Sequence, residues 1–352
     1  MKIKKRKSVS LPLNAIIISI LFLIVLVGLI IIFFEFNKKQ KEDFTYKEDS
    51  FDLREEWENI NYESLKYDFI ANYNNYLETF DHNLEIRVDI KRIEEIKNLN
   101  LYHYLLEKLN RYGKTEREIM EDLYFIIEYS KKLKVPLVVS TYVYIAEKTP
   151  RFKVSSTYRY GPFQIGMKAV EDVKTFLKGN YGGIYNELRK IEEKYKDFCK
   201  YNGYSCVGGC KIGYKRPDPE PWMIVTCKGL KEEQILEVVK LNIAYGIAYI
   251  ALTKKRVNEH LPNLEEELKW IVTILSYHLG ICFAKVVKER IKERNININD
   301  LKDGEKLANL IEYYAKEGKV KYCKGKKLPR DTYAIKYAHD FLKFSYFFDS
   351  LV

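Results

Sequence analysis

Glu147 is the residue of this sequence whose setting suits acid–base chemistry best. It ends the apolar run Leu137 to Ala146 (LVVSTYVYIA) and stands just before a polar stretch closed by Pro150. A helix apolar nearly all round is buried, so the carboxyl falls at the C-terminal end of a buried helix. There it feels the negative end of the helix dipole and the low dielectric of its neighbours. Both favour the protonated form, which a general acid needs at neutral pH. The plainer alternative is a solvated glutamate at a helix end. The five histidines, 82, 103, 260, 278 and 339, are too scattered for a spacing-based metal site, and no cofactor is implied.

Several elements must position such a carboxyl. Thr115-Glu116-Arg117-Glu118 fits a capping box, and Ile119, Leu123, Ile126 and Ile127 continue it as one apolar stripe ending near Leu133. Pro136 suits the first turn of the next helix, Leu137 to about Ala146, and Pro150 disfavours helix at Thr149. Upstream, Tyr62–Leu77 and Ile90–Leu109 show apolar residues at three- and four-residue spacing. They read as a spacer or as a support layer for the domain beyond them. Downstream, Phe341 to Phe348 (FLKFSYFF) is either a last helix buried on the domain or a membrane contact.

The run Ala15 to Phe34 carries no charge, and twenty residues at 1.5 Å rise span about 30 Å, one bilayer core. It ends in Phe33, Phe34, Glu35 and Phe36 rather than in small residues, which favours an uncleaved anchor over a signal peptide. Lys2, Lys4, Lys5, Arg6 and Lys7 precede it without an acid, whereas Glu42 and Asp43 soon come after it, so the C-terminal bulk is expected outside the cytoplasm. The formal net charge of +11 is concentrated here: residues 1–41 hold +7, leaving +4 for the rest. Most of the excess is therefore topology signal, and nucleic acid is not an expected partner.

The cysteines fit that compartment. Cys199, Cys206, Cys210 and Cys227 lie among Gly203, Gly208, Gly209, Gly213, Pro217, Pro219 and Pro221, a loop-rich part with little core of its own. Two local disulfides would staple it, with Cys282 and Cys323 left to pair with each other. A four-thiolate zinc site is the alternative, although six, three and sixteen intervening residues differ from the usual zinc knuckles. Connectivity stays open. Trp222 and nearby tyrosines would form either a small core or a sugar-stacking face.

From Thr115 onward, five short motifs stand in an order that resembles the catalytic domain of lytic transglycosylases, the lysozyme-like enzymes related to goose-type lysozyme. Glu147 with Phe152 after it resembles the segment carrying the family's catalytic Glu-Ser. Gly161-Pro-Phe-Gln164-Ile165 resembles Gly-Leu-Met-Gln-Ile. Asn242-x-x-x-Gly246-x-x-Tyr249-Ile250 fits Asn-x-x-x-Gly-x-x-Tyr-Leu. Ser276-Tyr277-His278-Leu279-Gly280 resembles Ala-Tyr-Asn-x-Gly, and Leu328-Pro-Arg-Asp331-Thr332 resembles Leu-Pro-x-Glu-Thr, which opens the last helix. The departures are Lys148 for the Ser, Phe163 for the Met, His278 for the Asn, and some 75 residues between the Gln loop and the Asn-Gly helix.

The chain is thus expected to be mainly α: a basic cytoplasmic tail (1–14), a transmembrane signal-anchor (15–36) and a helical stalk or support (37–114), followed by a domain (115–352) that the resemblance implies is lysozyme-like. The Cys-rich insertion spans about 180–232. The resemblance implies Glu147 as general acid and then base, with Gln164 and Tyr277 positioning sugar and acid. Tyr249 would line the cleft, and His278 would take a substrate-side place; core packing is the plainer reading of both tyrosines and a satisfied polar residue that of His278. No second carboxylate stands at a motif position, so the substrate's own N-acetyl group would assist, as in the family. The expected partners are the lipid bilayer and a cell-wall or envelope glycan. The alternatives are a non-catalytic member of the fold that binds wall glycan or a membrane protein, and an unrelated helical ectodomain.

Overall fold

A computed structural model describes residues 62–80, 88–155, 158–199, 218–227, 229–280, 283–316, 331–348 and 350–352. The anchor run, Cys206, Cys210, Cys282, Cys323 and Leu328 to Arg330 lie outside the described residues. Eleven α-helices and no β-strand are found among the described residues, which fall in one compact unit.

The chain order is α1 (Tyr62–Phe80), a 3-10 turn (Ile93–Asn98), α2 (Asn100–Leu109), α3 (Glu116–Leu133), α4 (Leu137–Glu147), α5 (Met167–Asn180) and α6 (Gly182–Tyr195). Then come α7 (Glu232–His260), α8 (Glu266–Leu279), α9 (Phe283–Glu293), α10 (Gly304–Lys316) and α11 (Asp331–Phe348). The periodic stretch Ile90–Leu109 is not one helix: it breaks at Leu99, which sits in an extended conformation between the 3-10 turn and α2. Helix α1 packs against α10 and α11, so the expected support layer is built into the same unit as the later helices.

Helix α3 starts where its capping box requires. The Thr115 hydroxyl accepts from the Glu118 amide, and the Glu118 carboxylate accepts from the Thr115 amide at 2.9 Å. Helix α4 ends on Glu147, and Lys148 leaves it in a left-handed conformation (φ 47°). Ser130 and Ser140 hydroxyls meet where α3 and α4 cross, which satisfies both inside an otherwise apolar contact.

Helix α7 is the axis of the fold and contacts α3, α5, α6, α8, α9 and the Pro221–Met223 turn. Its length and apolarity would suffice for a membrane span, but 67% of its most apolar window is buried inside the protein. A central helix surrounded by others is apolar for the same reason a spanning one is, and α7 forms the core. The last helix divides its aromatics: Phe341, Phe344 and Phe348 are buried, while Tyr346 and Phe347 are half exposed.

The described stretches of the insertion pack into the protein. The insertion opens with α6, and Trp222, Met223, Ile224 and Val225 are buried, so Trp222 belongs to a core. Cys199 and Cys227 form a disulfide that closes a 28-residue separation, and zinc ligation by these two is thereby replaced. By loop-closure entropy the bond contributes about 3 kcal/mol. The double variant Cys199→Ala/Cys227→Ala should lose about that much unfolding free energy in urea titrations, whereas a bond held only by a preformed insertion would leave it unchanged.

Candidate active site

Residues 160–165 form a tight loop beside α7. Tyr160 and Ile165 exchange backbone hydrogen bonds at 3.0 and 3.2 Å, and Tyr160 also bridges to Val154. Two positions on the loop–helix contact demand small residues. A side chain at Gly246 would place its Cβ 2.4 Å from the Phe163 ring, and one at Gly161 would meet the Asn242 amide at 2.4 Å. Gly161 also has φ 68°, a conformation that glycine adopts without strain.

Asn242 completes the contact. It is fully buried, and its Nδ2 donates to the carbonyls of Tyr160 (3.1 Å) and Trp222 (3.0 Å), so one amide ties both the loop and the insertion to α7. From α8, the Tyr277 hydroxyl donates to the Phe163 carbonyl at 2.6 Å. Three of the motifs singled out in the sequence therefore meet at one loop.

Glu147 lies next to this assembly. Its side chain is 13% exposed, and Oε1 is buried without a hydrogen-bond partner among the described residues. His278 Nδ1 stands 4.0 Å away, and its ring stacks on Tyr337 at 4.5 Å. Burial, and after it the nearby Glu147, hold the Tyr277 and Tyr337 phenols well above their ordinary range. Both therefore stay protonated. Tyr249 packs edge-on against Tyr277 at 5.3 Å and is half buried.

Glu147, His278, Tyr277 and Tyr249 are thus brought together, and Gln164 lies on the loop that Tyr277 braces. Gln164 turns its amide back to the Gly161 carbonyl (2.9 Å) with its own φ at 47°, and the Tyr277 hydroxyl is committed to Phe163. In this state both brace the loop rather than present polar atoms outward. Phe152, half exposed, stands on the loop after Glu147. Lys148, Tyr158 and Gln164, all in the loops C-terminal to Glu147, have positive φ without being glycine. Such strain costs on the order of 1 kcal/mol or more each and concentrates at functional sites.

Sequence reasoning missed what fixes the loop behind Glu147. Arg151 is buried and donates to Asp122 Oδ1 through Nε (2.8 Å) and Nη2 (2.7 Å), to Glu121 through Nη1 (2.7 Å), and to the Glu118 carbonyl (3.1 Å). Asp122 also accepts from the Tyr144 hydroxyl at 2.8 Å, and Lys114 lies 3.5 Å from it, over the Tyr144 ring. The signal was present in the chain: Asp122 sits three residues after Ile119 and one before Leu123, a charge inside an apolar stripe. Tyr337 was also missed, and only the C-terminal aromatic content pointed its way.

No family model matches this chain, and no curated protein or solved structure matches it.

Two consequences are measurable. In an ordinary helix position Gly→Ala stabilises by about 1 kcal/mol. At Gly246 the added methyl would strike the base of the Phe163 side chain, and Gly246→Ala should instead destabilise by about 1–3 kcal/mol. Phe163→Leu in the same chain should recover part of the loss, and strictly additive effects in a double-mutant cycle would refute the contact. The second concerns Lys114, whose ammonium burial pushes down to about 8 against the opposing pull of Asp122. Between pH 8 and 10.5 the unfolded chain then holds a proton that the folded chain does not, so stability rises with pH across that window. Lys114→Met should flatten this rise, worth at most about 3 kcal/mol, in chemical unfolding measured at about pH 7.5 and pH 10.

Proposed function

We propose that this chain is a membrane-anchored, glycan-cleaving enzyme of the lytic transglycosylase or lysozyme kind, with Glu147 as its general acid and then base. One observation carries the reading: a buried carboxylate oxygen without a hydrogen-bond partner stands at a helix end, 4.0 Å from His278 on the helix whose Tyr277 braces the loop where three motif elements converge. An unsatisfied buried acceptor is costly unless another molecule completes it.

In the proposed reaction Glu147 gives its proton to the glycosidic oxygen as the C–O bond breaks. The substrate's acetamido oxygen supports the positive charge at the anomeric carbon. The carboxylate then takes the proton of the incoming hydroxyl, either the sugar's own 6-hydroxyl, giving a 1,6-anhydro end, or water. The polymer is an aminosugar glycan outside the cytoplasm, consistent with the charge-flanked anchor run at 15–36 and with the Cys199–Cys227 disulfide.

A second reading, a non-catalytic module that binds wall glycan or a membrane-protein partner, is favoured by one feature. The Gln164 amide and the Tyr277 hydroxyl already have partners within the loop.

Cleavage of murein sacculi and other N-acetylated wall polymers by the full chain in detergent, followed by mass spectrometry, decides between them. Glu147→Gln should lower the rate by about 100-fold or more with an unchanged melting temperature. A folded, silent wild type that still sediments with one of these polymers would establish the binding module instead.

A further inference from the structure

Among the described residues, Glu147 has one close neighbour of a type that changes charge near neutral pH. His278 Nδ1 lies 4.0 Å from Oε1, and its imidazole is held in place by stacking on the Tyr337 ring, with 4.5 Å between centroids and 18° between planes. The two side chains are 21% and 13% exposed, so protons reach the pair from solvent while little water screens it. Glu147 closes α4, and His278 lies in the last turn of α8. The partial negative ends of two helices thus meet here, and a cation between them is favoured. A gap of 4.0 Å is too long for a hydrogen bond but inside the distance at which one charge decides the ionisation of another.

The other groups around the pair do not switch in this way. Tyr249, Tyr277 and Tyr337 stay neutral phenols, pushed up by burial. The Lys148 ammonium lies over the Tyr112 ring at 4.9 Å, and Asp340 of α11 is paired with Lys336 at 2.6 Å. Arg159 is exposed, and its field reaches the Tyr249 and Tyr277 phenols, but a guanidinium keeps its charge throughout. Only an imidazole changes charge between pH 5 and 8.

We infer that His278 is a positioning residue for the proton of Glu147: charged, it holds the carboxyl ionised, and neutral, it lets the carboxyl take a proton. A lone carboxyl gains protons about tenfold with each pH unit of acidification, until it is half protonated. Beside His278 that gain is offset once the imidazole charges, so His278 acts as a brake on the general acid as pH falls. The effect on cleavage rests on the proposed function; the coupling of the two charges does not.

Diethyl pyrocarbonate, which reacts with neutral imidazole, reads the coupling without any cleavage. Its rate at His278 in the full chain in detergent is followed from pH 5 to 8.5 by peptide mass spectrometry, with the exposed His103 as internal reference. Glu147→Gln should move the His278 midpoint down by about one pH unit and leave that of His103 in place. Cleavage of murein sacculi supplies the second arm. The rate of His278→Asn relative to wild type should be at least about 5-fold larger at pH 6 than at pH 8.5, whatever constant loss the substitution causes at both. An unmoved His278 midpoint, or a relative rate independent of pH, would overturn the inference. A moved midpoint in a chain that cleaves nothing would overturn the proposed enzyme and retain His278 as the charge partner of Glu147.

Discussion

The contact on which the site depends is the approach of the 160–165 loop to the face of α7. Gly246 removes the one side chain that would keep Phe163 away, and Asn242, one turn earlier on the same face, supplies the two hydrogen bonds that hold Tyr160 and Trp222 there. A loop laid on an apolar helix would otherwise bury backbone carbonyls without partners, at about 1–3 kcal/mol each. Here the Tyr160 carbonyl is satisfied from α7 and the Phe163 carbonyl from α8, through Tyr277. Because α8 also carries His278, the group that braces the loop and the group facing Glu147 are neighbours on one rigid helix.

The ion network under Arg151 solves a different problem. Helix α4 ends at Glu147, and Lys148 turns the chain out of it in a left-handed conformation. Arg151 ties the chain beyond that turn to α3 by forking onto Asp122 and Glu121. A buried salt bridge of this kind adds little net stability over an apolar substitute, yet removing one partner costs about 3–5 kcal/mol. Its use is therefore to select one loop conformation rather than to deepen the folded state. Arg117 extends the cluster from Glu121 to Glu232 at the start of α7 through an exposed ion pair.

Local rules read the helices well where they act alone. The capping box at Thr115, the stop at Leu133 and the burial of Leu137 to Tyr144 all derive from propensity and periodicity, and the structure has them. The break at Leu99 was not legible, because the apolar period runs through it and only packing decides between one helix and two. The convergence of Gly161, Asn242, Gly246 and Tyr277 was legible as a set of motifs, but not as a mechanism of support. Spacing along a chain does not reveal that a hydroxyl will point at a backbone carbonyl more than a hundred residues away. The Arg151 network was hidden in part for the same reason: Asp122 stands out as a charge inside an apolar stripe, but Lys114 and Arg151 look like surface charges until the fold buries them beside it.

The distance between Glu147 and His278 bears on the proposed chemistry. At 4.0 Å the two groups are beyond direct hydrogen bonding. A direct bond would have satisfied Oε1 within the protein and held the carboxyl against leaving its proton elsewhere. The gap instead leaves Oε1 for a third partner, with the Tyr277 and Tyr337 phenols kept neutral close by. No second carboxylate at a motif position is ready to meet a developing positive charge on a sugar ring. On the proposed reading that charge must be met by the substrate, and the enzyme's choice of N-acetylated glycans would stem from what the protein omits as much as from what it supplies.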